Sequence, residues 1–128
     1  MKGAIFMQLR AIRGQFTVCK VQSLADVNLQ SEFLFLGKTD QELSLVCKTA
    51  DAPAQTAARE DGWCAFRIEG TLDFSLTGIL AGISSLLAGS HIGIFAVSTF
   101  NTDYILVKEE NFVPALSVLA EAGYEILR

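Results

Sequence analysis

Glu69–Glu110 runs EGTLDFSLTGILAGISSLLAGSHIGIFAVSTFNTDYILVKEE, and the order of polar and apolar residues along it decides the fold. A polar loop, Leu72–Gly78, opens onto a segment in which Leu76, Ile79, Leu80, Ile83, Leu86 and Leu87 recur at helical spacing and so share one face. The spacing predicts a helix over 76–88, with Asp73 or Ser75 as N-cap and Gly89 at its end. Ile92–Ser98 is rich in apolar residues and predicts a strand covered on both faces. Asn101-Thr102-Asp103 has the chemistry of a turn, and Tyr104–Lys108 follows as a second strand.

The same signals extend to both sides. Phe112, Ala115, Leu116, Leu119 and Ala122 make the stripe of a second helix over 112–122. Asn111 is placed to cap it, Pro114 falls in its first turn, where a missing N–H costs little, and Gly123 ends it. Strands are predicted before the first helix, at Trp63–Glu69, and after the second, at Tyr124–Leu127. Residues 63–128 therefore read strand, helix, strand, strand, helix, strand, the βαββαβ order of a ferredoxin-like sandwich. The first sixty residues resemble a degraded copy of this order. Strands are predicted at Gln15–Val21, Phe33–Gly37 and Leu43–Lys48, with a further short one at Ile5–Leu9. Ser23–Ser31 carries a weak helical pattern, and Ala54, Ala57 and Ala58 suit a short helix after Pro53. The expected fold class is α+β: two ferredoxin-like βαββαβ units, residues 1–61 and 62–128, with antiparallel sheets covered by helices on one face.

Composition narrows the function. In 128 residues the hydrophobic fraction is 51% and the mean hydropathy +0.38, high for a small domain, which points to a homo-oligomer. The net charge is −4 and no basic stripe occurs, so neither nucleic acid nor an anionic membrane surface is an expected partner. The apolar run near the N-terminus is short and lacks a small-residue cleavage pattern. The stretch from Leu76 to Val97 is broken by serines, glycines and His91, which argues against a membrane span. Cys19, Cys47 and Cys64 lie in apolar runs without metal-ligand spacing, and only one histidine is present. These features predict a cytoplasmic protein with no cofactor and no metal.

The run LDFSLTGIL, followed closely by IGIFAVSTFNTDYILVKEE, resembles the small tandem ACT-domain proteins of bacteria and is similar to the ACT units of the animal cytosolic arginine sensors. The likeness is specific over residues 62–124. GQFTVCKV and KTDQELSLVCKT resemble the companion N-terminal unit more loosely. The resemblance implies a regulatory sensor that binds an amino acid or related metabolite at an interface between ACT units and relays occupancy to a protein partner. It implies no enzymatic turnover. The alternative class is a structural or oligomerisation module whose ligand site is vestigial.

Carried over by position, the resemblance places the ligand at Asp73, Phe74, Ser75, Leu76, Thr77 and Gly78 and at Ser98, Thr99, Phe100, Asn101, Thr102 and Asp103. The chemistry is consistent with that placement. A helix N-terminus offers free N–H groups to a carboxylate, the Ser75 and Thr77 hydroxyls add donors, and the Asp103 carboxylate suits an ammonium group. Each residue also has a plain structural reading. Asp73 or Ser75 caps the helix, Gly78 permits close packing, and Asp103 belongs to a hairpin turn. His91 has no motif partner, and Cys64 beside Trp63 has neither a neighbouring base nor a reason for a depressed pKa. No catalytic residue is expected.

Overall fold

The computed structural model describes residues 7–69 and 78–128. Packing divides the chain into two compact units, one combining a segment ending at Arg13 with Cys64–Arg128 and the other spanning Gly14–Trp63. The longest strand, β5 (Ala58–Ile68), supplies its first residues to the second of these and its last residues to the first.

In the discontinuous unit, the end of β5 joins β1 (Gln8–Ala11), β6 (Phe95–Ser98), β7 (Asp103–Lys108) and β8 (Glu125–Leu127). The strand order is β8-β1-β5-β7-β6. β1 runs antiparallel to β5, with Leu9 opposite Ile68, and parallel to β8, with Leu9 opposite Ile126. Two helices, α1 (Ile79–Gly89) and α2 (Phe112–Glu121), complete the unit. Period-two alternation turns Phe66 and Ile68 of β5 to one side and Arg67 to the other. Leu9, Phe66, Ile68, Ile105 and Val107 meet Ile83 and Leu87 of α1 and Ala115, Leu116 and Leu119 of α2 in a single buried cluster. Each large aliphatic side chain fully buried there is worth about 1.5–3 kcal/mol. Leu80 packs on the same cluster as Leu116, so both helices cover one face of the sheet, as their spacing predicts.

Several boundaries differ from expectation. Cutting the chain at residue 61 leaves the N-terminal strand in the first unit, whereas the structure pairs Gln8–Ala11 with β5 and β8 in the other. The cause is Leu9, which is fully buried between the strands and the helices. Ile5 and Phe6 of the expected first strand lie outside the described residues. α1 starts at Ile79, with Gly78 in the left-handed region at φ +80° as its N-cap; Asp73 and Ser75, the caps expected from the sequence, lie outside the described residues. The helix ends through His91 at φ +61° rather than through Gly89. Ile92 then donates its N–H to the Leu87 carbonyl and is buried, which delays β6 until Phe95. A 3-10 turn, Glu109–Asn111, leads into α2, and the Asn111 side chain makes no capping bond.

In the unit Gly14–Trp63, β2 (Phe16–Lys20), β3 (Leu34–Lys38), β4 (Leu43–Lys48) and the start of β5 lie in the order β3-β4-β2-β5, antiparallel throughout. The unit's first strand sits between its third and fourth, as in a ferredoxin-like sheet. Its two helical positions hold only 3-10 turns, Leu24–Asp26 and Thr49–Asp51. The helix expected at Ala54–Ala58 does not form. Ala57 donates to the Lys20 carbonyl, Ala58 is drawn into register opposite Lys20, and this segment has no apolar stripe to bury. Cys19, Val21, Val27, Leu45 and Cys47 form one buried cluster. The buried Thr17 hydroxyl lies 2.6 Å from Asp61 Oδ1 and 2.9 Å from Thr49 Oγ1. Arg59 donates from Nε to the same Asp61 oxygen and from Nη1 to the Pro53 carbonyl, which fastens the connector into β5.

Candidate functional site

Ser98 and Asp103 face each other as the closing register pair of the β6–β7 hairpin, and the Ser98 hydroxyl donates to Asp103 Oδ1 at 2.6 Å. Between them, Thr99, Phe100, Asn101 and Thr102 form a tight loop. The Thr99 N–H donates to the Thr102 carbonyl at 2.8 Å, and Thr99 Oγ1 donates to the same oxygen at 3.0 Å. Thr99 Oγ1 also accepts the Thr102 N–H at 3.3 Å. Thr99 thus satisfies both the N–H and the carbonyl of Thr102 with its own side chain, a local bond that favours the turn here. At the tip, the Phe100 ring is 73% exposed, far more than a core aromatic.

Thr102 points inward. It is buried, and its hydroxyl donates to the Ile68 carbonyl at 2.6 Å. Ile68 is the last residue of β5 before Glu69 and the segment 70–77, which the chain crosses to reach Gly78 and α1. The bond therefore fixes the hairpin turn beside the strand exit that feeds the loop singled out in the sequence. Of that loop, Asp73, Phe74, Ser75, Leu76 and Thr77 lie outside the described residues. Gly78 heads α1, where its carbonyl accepts the Gly82 N–H at 2.8 Å. Nothing lies within 4 Å of where a Cβ on Gly78 would stand, so its backbone conformation and not crowding calls for glycine. The first turn of α1 contains no acidic residue and its N-cap makes no side-chain bond, which leaves the positive end of the helix uncompensated by its own side chains.

A group that the sequence did not single out occupies the other face of the same sheet. Arg10 and Arg67 are direct register partners across β1 and β5. Glu69 accepts from Arg10 Nε at 3.1 Å and from Arg67 Nε at 3.3 Å. Arg67 Nη1 donates to the Tyr104 hydroxyl at 3.2 Å, and its guanidinium carbon lies 5.9 Å from the centre of the Tyr104 ring. The two arginines hold the Glu69 carboxyl below the ordinary range against the opposing effect of burial. Alternation along Phe66-Arg67-Ile68-Glu69 does place both charges away from the core. Arg10 carries no such signal, because its strand is paired by tertiary contacts.

The remaining polar candidates keep their structural readings. Burial pushes the Cys64 thiol up, and Glu109 adds to the shift, the opposite of an activated nucleophile. His91 is exposed at the end of α1. A small polar hollow of about 110 Å³ lies among Gln22, Asp26, Gln55, Thr56 and Ala57 in the Gly14–Trp63 unit. Among the described residues, no cluster of His, Cys, Asp and Glu could hold a metal ion, and no helix is long and apolar enough to cross a membrane.

Residues 58–121 match the family model of the ACT domain. A protein from Agobacterium tumefaciens, known from its crystal structure, is 30% identical, with 97% of this chain and 94% of that one aligned at a TM-score of 0.82. Two more distant likenesses concern the fold alone. Aspartate kinase from Clostridium acetobutylicum, described as an allosteric enzyme, aligns at 15% identity and a TM-score of 0.63 over 91% of this chain and 34% of its own. The regulatory subunit of aspartate kinase from Thermus thermophilus aligns at 12% identity and a TM-score of 0.54, covering 84% of this chain and 91% of its own. No curated protein matches the sequence at a significant level.

Proposed function

Because the chain belongs to the ACT-domain family, we propose that it is a regulatory protein that binds an amino acid or related metabolite and relays occupancy to a protein partner. Its ligand lies against the segment Asp73–Gly78 and the turn Ser98–Asp103, with the carboxylate at the head of α1 and the ammonium at Asp103. One observation carries this reading. The Thr102–Ile68 bond secures the turn Ser98–Asp103 against the last residue of β5, the strand that precedes Asp73–Gly78 in the sequence. The start of α1, whose own first turn carries no acidic residue, supplies donors, and the turn supplies a carboxylate, as a zwitterion requires.

The proposal extends to the whole chain. Its Gly14–Trp63 unit, with ferredoxin-like strand order but single 3-10 turns for helices, is a reduced companion ACT unit. The protein works in the cytoplasm as a homodimer without catalysing a reaction. The regulatory subunit of aspartate kinase from Thermus thermophilus offers a precedent in architecture for such a role.

The test is a thermal-shift screen of the purified protein against the common amino acids, arginine included. A ligand that binds only the folded protein adds about 2.7 kcal/mol at 100 times its Kd. A selective upward shift with one amino acid or a narrow chemical group supports the proposal. A flat screen rejects it in favour of a structural interaction module.

A further inference from the structure

The Arg10–Arg67 pair is a costly arrangement for a purely structural feature. Like charges directly opposite each other on adjacent strands are destabilising. Here two guanidiniums occupy one register position of β1 and β5. Glu69 lies between them and takes one Nε from each, which offsets one positive charge and leaves the other. Glu125 of β8, whose strand pairs with β1, accepts from the Gln8 amide at 3.0 Å. Among the described residues, Arg10 bonds through Nε alone and Arg67 through Nε and Nη1, so none of these residues accepts from the Nη groups of Arg10 or from Nη2 of Arg67.

We propose that Arg10 and Arg67, steadied by Glu69 and Tyr104, form a binding site for a small carboxylate or phosphate anion on the sheet face away from α1 and α2. Three features make it a site and not simply an excess of charge. The guanidiniums are preorganised: Glu69 fixes both Nε atoms, and the Tyr104 ring and hydroxyl hold the Arg67 plane. The side chains of Arg10, Arg67 and Glu69 are 38%, 29% and 27% exposed, open to a small solute yet partly shielded from water. Charge-assisted bonds made in such surroundings are stronger than those at a fully wet surface. The net charge of −4 on the chain disfavours an extended polyanion, so the occupant is small. Glu69 stands where a ligand carboxylate could compete for the same donors.

The site is separate from the one proposed above, and it can stand or fall alone. The experiment follows the arginine Nε–Hε resonances by NMR while the whole protein is titrated with sodium acetate, sodium succinate or sodium phosphate. Sodium chloride at equal ionic strength is the control. The expected result is a saturable shift of the Arg10 and Arg67 signals that chloride does not produce. Saturation by the carboxylates alone, or by phosphate alone, assigns the chemical source. Arg67→Gln should lose the saturable response at Arg10. A wild-type protein that responds to acetate, succinate and phosphate only as it does to chloride overturns the proposal, whether or not the variant folds. An Arg67→Gln protein with unchanged affinity overturns it too.

Discussion

The Thr102 hydroxyl and the Ile68 carbonyl meet at 2.6 Å in a buried position, joining the β6–β7 turn to the last residue of β5. A side chain reaching across strands to a backbone acceptor is a stronger constraint on the turn than the bonds within it, because those would move with the turn. Thr102→Val preserves shape and branching but leaves the Ile68 carbonyl without this donor. The expected loss is about 1–3 kcal/mol of stability, read from urea denaturation. Ligand affinity should fall with it if the turn contributes to the site. A variant as stable as the wild type would show that water replaces the hydroxyl without cost.

Two glycines near the start of α1 should respond to alanine in opposite directions. Gly78 sits at φ +80° with open space around it, so alanine there meets only backbone strain, about 1–2 kcal/mol. Gly82 lies within the helix, and a Cβ there would stand 3.6 Å from the Tyr124 hydroxyl, an ordinary contact. Gly82→Ala should therefore stabilise the protein by about 0.5–1 kcal/mol through helix propensity. Thermal denaturation of the two single variants checks both signs.

The elements legible in the sequence are those whose pattern is local. α1 and α2 announce themselves by apolar spacing, and β2, β4 and β7 by runs of apolar and β-branched residues. The misplacements have tertiary causes. β1 is four residues long, and its place between β5 and β8 follows from the burial of Leu9 among residues far away in sequence. The start of β5 overrides the helical preference of Ala57 and Ala58 because β2 offers them backbone partners. At the site, the turn chemistry of Asn101-Thr102-Asp103 was visible. The inward bond of Thr102 was not, since nothing local distinguishes a threonine that faces a strand end from one that faces solvent.

Burial pushes the Cys47 thiol up to about 11, and the neighbouring Cys19 and Asp51 add to the shift while Arg59 opposes it. The ordinary value is 9.0, so the sign of the linkage is fixed. Below 9.0 the thiol is neutral in folded and unfolded chains alike, and its contribution is fully present. As the pH rises towards about 11 the unfolded chain ionises first, and stability is lost. The loss is on the order of 2 kcal/mol for a shift of this size. Cys47→Ala should flatten the decline in stability between pH 9 and 11 without abolishing it, because the Cys19 thiol is raised as well. At neutral pH both buried thiols should react with Ellman's reagent only as fast as the protein opens.

Asp103 gives the sharpest test of the proposed ligand site. Its Oδ1 already accepts from Ser98, which orients the carboxylate and leaves acceptor capacity on the group for an ammonium ion. Asp103→Asn can keep the Ser98 contact through the amide oxygen, so the hairpin should lose little stability. The removed charge matters only to a ligand that pairs with it, at a cost of about 1–3 kcal/mol of binding. Ser98→Ala separates the two roles from the other side. It removes the orienting donor but keeps the charge, and should weaken binding less than Asp103→Asn does. Calorimetric titration of the three proteins, with the amino acid that the thermal screen selects, measures the difference. Equal affinities in wild type and Asp103→Asn would exclude Asp103 as the ammonium partner and leave it the role of a turn residue.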